Sequence, residues 1–208
     1  MASTRPRKIT DSWQHYEQSR AAAAQSDSIA YESHAAAEQA FVLLDAQATH
    51  DAVDLLDTAR YRADATAPRI LRAWLAAAHG EALAAHGDRT ASLHVFDRAD
   101  DLLPADGGTD SRPYVALDAV HLARWRGHAL PRFGDPDAIT ILTDALDRLD
   151  RTFVRAETAL RVDLATAHVA NGDHDETRSQ ADHAARLAAQ VGSARQHRRI
   201  IALLATVR

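Results

Sequence analysis

Cysteine does not occur in the 208 residues, which removes disulfides, thiolate nucleophiles and cysteine-held zinc together. Aromatic residues make up only 5%, and there are 8 glycines and 6 prolines, so the residues that build strands and tight hairpins are scarce. No apolar run is long enough to cross a bilayer, and the opening MASTRPRKITDSW has no apolar middle for a signal peptide. The expected location is therefore the cytoplasm, with no membrane partner. Basic excess is missing too. The net charge is -5, and Lys8 is the lone lysine. Direct binding of nucleic acid is not expected, because the only basic clusters, Arg5/Arg7/Lys8 and Arg195/Arg198/Arg199, read as solvated chain ends. The 12 histidines contain neither HxxxH nor HExxH spacing, so no metal site is expected. Nucleophile-elbow and phosphate-cradling glycine motifs are absent, and the carboxylates fall on exposed faces and caps. No cofactor and no enzyme activity are expected.

Alanine is what the chain has, 46 residues of it, and this composition favours helix nearly throughout. Apolar residues recur at helical spacing over about 10–24, 29–46, 50–62, 67–86, 89–103, 113–132, 137–149, 153–171, 174–190 and 194–207. Three breaks share one design, a glycine to reverse the chain and an aspartate to cap the next helix: Gly87-Asp88, Gly134-Asp135 and Gly172-Asp173. Pro104 to Asp110 reads as the one long loop. The expected organisation is a disordered 1–9 followed by a single helical repeat domain over 10–208.

A repeat underlies the turns. Ala40, Gln47, Leu56 and Ala59 have the mutual spacing of Gly80, Gly87, Phe96 and Ala99 forty residues on. Gly127, Gly134, Leu142 and Ala145 repeat it with one residue fewer, and Ala165, Gly172, Ala181 and Ala184 repeat it again. Small residues at the first and last positions let the two helices of a hairpin cross closely. Leu56, Phe96 and Leu142 are expected to fill the space between successive hairpins, since one hairpin cannot bury its apolar stripe alone.

Gly80, Gly87, Phe96, Ala99 and Pro104 resemble the small–turn–aromatic–small–proline pattern of the tetratricopeptide repeat, over about residues 30–190. Gln47 stands where that pattern has glycine, and Ala181 where it has a bulky residue. The resemblance implies an all-α, tetratricopeptide-like α-solenoid of about four hairpins, with an orphan helix before and a capping helix after. Residues 37–45, 121–128 and 192–195 look like the C-terminal repeat region of bacterial Cro/repressor-type regulators. That likeness implies repeats that serve sensing or oligomerisation in transcriptional control. No helix-turn-helix segment precedes the repeats in this sequence, so DNA binding does not carry over.

Ser12, Tyr16 and Ser19 have the spacing of Ala52, Leu56 and Ala59, so the first helix looks like the second half of a hairpin. Trp13 and Tyr16 then either pack as an N-terminal cap or form an open face for self-association as a homodimer. In stacked hairpins the first helices line the inner groove. Their spacing puts His34, Phe41, Trp74, Glu81, His121, Arg124, His128, Arg132 and Asp163 there. Arg124, His128 and Arg132 make a ridge suited to a carboxylate or an acidic peptide. The bland alternatives stay open: the arginines pair with Glu81 or Asp163, and Trp74 is packing. The expected function is a non-enzymatic module that binds a protein or peptide in the groove, with structural self-association as the alternative.

Overall fold

A computed structural model describes residues 5–64, 66–103, 115, 117–150 and 152–207. The loop expected at 104–110 lies outside the described residues, as does Pro104 of the repeat pattern. The described regular structure is entirely helical. The helices are α1 Arg5–Ala24, α2 Ile29–Asp45, α3 Thr49–Ala63, α4 Arg69–His86, α5 Arg89–Leu102, α6 Ala119–Ala129, α7 Asp137–Asp147, α8 Val154–Ala170, α9 His174–Gln190 and α10 Ala194–Leu204. The chain falls into two compact units, Met1–Asp118 and Ala119–Arg208, each described by itself.

Several boundaries differ from the periodicity reading, those of α1 and α6 among them. Helix α1 takes in residues 5–9, which that reading leaves irregular. Helix α6 begins at Ala119 rather than 113, directly after Asp118, an acidic residue of the kind that starts helices. It tightens into a 3-10 turn at Leu130–Phe133. Pro131 explains the tightening, because it has no N–H to donate four residues back.

Within each unit, helices joined by short turns pack as hairpins. Asp88 accepts a hydrogen bond from the Ala91 N–H at 3.0 Å, and Asp173 accepts one from the Glu176 N–H at 3.1 Å, so both cap as expected. Gly87 closes α4 with φ +95. Gln47 does the same for α2 with φ 65, a left-handed conformation costly for a residue with a Cβ. Gln47→Gly should therefore stabilise the protein by about 0.5–1 kcal/mol, read as a higher denaturant midpoint at unchanged slope.

The small positions of the repeat are all buried: Ala40, Gly80, Gly127 and Ala165 on the first helices, and Ala59, Ala99, Ala145 and Ala184 on the second. Gly80 and Gly127 show why. A Cβ on Gly80 would lie 2.9 Å from the Phe96 ring, and one on Gly127 would lie 2.5 Å from the Leu142 side chain. Phe96 and Leu142 thus press on the glycine of their own hairpin, whereas the sequence pattern assigned them to the space between hairpins. The bulky side chain fills the hollow that the glycine leaves. In the second unit Val162, Ala165, Ala181, Ala184, Ala188 and Ile200 form a core, with Leu203 and Leu204 of α10 packed against it.

Candidate functional site

The first unit gathers three of the expected groove residues. His34 and Phe41 lie two turns apart on α2, and Trp74 of α4 sits against both. The His34 and Trp74 rings stack with centroids 4.9 Å apart, and Phe41 meets Trp74 edge-on at 6.2 Å. The His34 Nε2 lies 3.8 Å from Glu38. Trp74 is 7% exposed, so its main role is packing between α2 and α4. Glu81 is half-buried two turns further along α4.

Trp13 and Tyr16 are half-buried on α1. The Tyr16 hydroxyl donates to Glu38 at 3.3 Å, and Arg20 donates to the Gln39 side-chain oxygen at 2.7 Å. Burial and the Glu38 carboxylate push the Tyr16 phenol above its usual range. Tyr16 therefore faces α2, while the neighbouring Gln14, His15, Glu17 and Gln18 are exposed.

In the second unit the expected ridge separates into two places. Asp163 of α8 is buried and accepts from two donors, the His128 Nδ1–H at 2.7 Å and the Arg199 guanidinium at 2.7 Å. Burial alone would raise the Asp163 carboxyl, but the His128 and Arg199 charges and hydrogen bonds hold it below the ordinary range. The far nitrogen of His128 lies 3.5 Å from the Arg132 guanidinium. Asp163 and His128 are thus tied into an ionic network between α6, α8 and α10. Arg199 was read as part of a solvated end; here it folds back onto Asp163 because a buried carboxylate needs a cationic partner. His121 is half-buried on α6.

Arg124 stands apart from that network. It lines an open depression of about 560 Å³ together with Thr152, Phe153, Val154, Arg155, Ala156 and Val191. Phe153 is 61% exposed, unusual for so large an apolar side chain. It is placed by the turn before α8, where the Thr152 N–H and hydroxyl both donate to Asp150, at 2.9 Å and 2.8 Å. Two guanidiniums and an exposed ring around one hollow can hold a carboxylate and an apolar side chain together. Phe153, Arg155 and Val191 were not anticipated. The available signal was an aromatic directly after the polar stretch Asp150-Arg151-Thr152, a position where apolar residues are seldom needed for packing.

Among the described residues, no three histidine or acidic side chains converge to hold a metal ion, and no helix is long and apolar enough to cross a membrane. No protein-family model matches the sequence, and no curated protein matches it. Among solved structures, the TPR2AB-domain:pHSP90-complex of yeast Sti1 is similar at 16% identity, covering 97% of this chain and 92% of that one, with a TM-score of 0.39.

Proposed function

We propose that the chain is a non-enzymatic module that binds a protein or peptide, and that it takes an acidic segment with an apolar side chain at the depression of the second unit. The observation that carries this reading is Phe153, exposed beside Arg124 and Arg155 in a hollow that, among the described residues, no carboxylate lines. Exposed aromatics flanked by arginines are the usual anchors of an interface, because ring and fork contribute area and direction at small entropic cost. A role in bacterial transcriptional control, through a partner that makes the DNA contact, is supported by the resemblance of residues 37–45, 121–128 and 192–195 to regulator repeat regions. The first-unit residues His34, Phe41, Trp74 and Glu81 remain part of this proposal as a second contact region. Cytoplasmic location belongs to the same reading.

Selection of a displayed random-peptide library on the full chain tests it. The expected result is enrichment of sequences pairing acidic with apolar residues. Arg124→Ala and Phe153→Ala should each weaken binding of the selected peptide on the order of tenfold or more. Arg124 is half-buried and outside the Asp163 network, so Arg124→Ala should change stability by only about 1 kcal/mol. Peptides that bind Arg124→Ala and Phe153→Ala as tightly as the native chain would remove the site.

A further inference from the structure

We propose that the cavity enclosed by α3, α4 and α5 in the first unit binds a small organic carboxylate, held between Arg60 and Arg98. The cavity measures about 290 Å³. Leu75, Ala76 and Leu102, all nearly fully buried, give it an apolar floor, and the exposed Tyr61 stands at its rim. Five charged side chains surround the opening, and they do not balance.

Arg72 and Asp64 answer each other: the Nε and Nη2 of Arg72 both donate to one Asp64 oxygen, at 3.1 Å and 2.6 Å. Arg60, Arg98 and Asp57 are left. Among the described residues, no carboxylate lies within ion-pairing distance of Arg60 or Arg98. Arg60 is half-buried, and its guanidinium donates at 2.7 Å to the Nδ1 of buried His79, a neutral acceptor where a carboxylate would be the usual partner. Burial lowers the Arg60 pKa, and Arg98 lowers it further against the pull of Asp57 and Asp64. A partly desolvated cation beside a second cation is costly without an anion.

The molecule contains its own control. Forty residues earlier in the repeat register, α1, α2 and α3 enclose an equivalent cavity of about 370 Å³. There Glu17, Arg20 and Thr58 stand at the register positions of Asp57, Arg60 and Arg98. Arg20 donates to Gln39 just as Arg60 donates to His79, and Arg62 pairs with Glu32 at 2.6 Å. Two arginines face two glutamates, so that cavity is neutral. In the α3–α5 cavity three arginines face two aspartates. The excess is one positive charge, the net of four register changes: Ala24 to Asp64, Glu32 to Arg72, Thr58 to Arg98 and Arg62 to Leu102. A singly charged carboxylate neutralises it, two guanidiniums supply the donors, and the floor accepts a small apolar body.

Benzoate is the probe, followed by two-dimensional NMR on the full chain, with benzamide as its neutral isostere and phenyl phosphate as a doubly charged comparison. Saturable shifts at the Arg98 and Tyr61 signals are expected with benzoate and none with benzamide. Arg98→Ala, an exposed change, should weaken benzoate on the order of tenfold. Arg124→Ala should leave it unchanged, which separates this site from the peptide site. No saturable shift at millimolar benzoate, or equal binding by Arg98→Ala, would overturn the proposal. Phenyl phosphate binding more tightly than benzoate would overturn the charge count that selects a carboxylate.

Discussion

Replacing Gly80 by leucine should lower the thermal midpoint by roughly 10 °C or more, through the loss of several kcal/mol. The Cβ alone would meet two Phe96 ring atoms at 2.9 Å. Phe96 is 0% exposed and bears on the α4–α5 crossing, so its ring has nowhere to retreat. A leucine adds three further carbons to a crossing that has no room for the first. Gly80→Ala tests the same contact more gently. In an open helix this change would stabilise by about 1 kcal/mol. At a closed crossing the overlap costs about 1–3 kcal/mol and reverses the sign. A Gly80→Ala variant that melts above the native protein, or a Gly80→Leu variant that melts within a degree or two of it, would show that the helices do not meet there.

The second large effect is on acid stability. Burial, reinforced by the Arg60 charge and opposed by Asp57, lowers the His79 pKa from 6.5 to about 4. Arg60 occupies Nδ1 as an acceptor, so the single imidazole proton sits on Nε2, which is buried and makes no hydrogen bond. A pKa depressed in the folded state means that the unfolded chain takes up the proton first. The associated stability is whole above about pH 6.5 and is lost as the pH falls towards about 4, amounting to about 3 kcal/mol. Asp163, whose carboxyl is held below its ordinary range, loses its own contribution as the pH falls to about 4 and below, at the foot of this window. His183 shifts in the same direction but is only partly buried, so solvent screening leaves it a small share. The repeat itself suggests the variant. Gln39 occupies the register position of His79 and accepts from Arg20 through a group that does not titrate. His79→Gln should keep the Arg60 contact and flatten the loss of stability between pH 6.5 and 4. Denaturant midpoints measured across that range check it, and an unchanged pH slope in His79→Gln would refute the assignment.

The fold was legible because its determinants are local and recur. A small residue at 40, 80, 127 and 165 is a steric statement that a crossing needs no Cβ branch, and spacing alone reveals it. The capping aspartates Asp88 and Asp173 were legible for the same reason. Gln47 shows how far the register reaches: the turn keeps its left-handed backbone even where the sequence does not offer glycine. Boundaries were less legible at α6, where Pro131 alters the hydrogen-bond pattern without ending the chain's helical course. Side-chain partnerships were the least legible. Spacing placed Arg124, His128 and Arg132 on one face, but only the fold decides that His128 joins Asp163 and Arg199 while Arg124 lines a hollow with Phe153. Arg199 lies 36 residues from Asp163, and no periodicity encodes that pairing.

A bound peptide should touch the chain at the depression beside Phe153. Amide and side-chain NMR signals of the isotopically labelled protein, titrated with a peptide selected from the acidic–apolar pool, measure this directly. The prediction is that the shifted signals cluster at Arg124, at 152–156 and at Val191, and leave Arg98 and Tyr61 unmoved. Shifts confined to other faces of the molecule, with Arg124 and Phe153 unaffected, would contradict it.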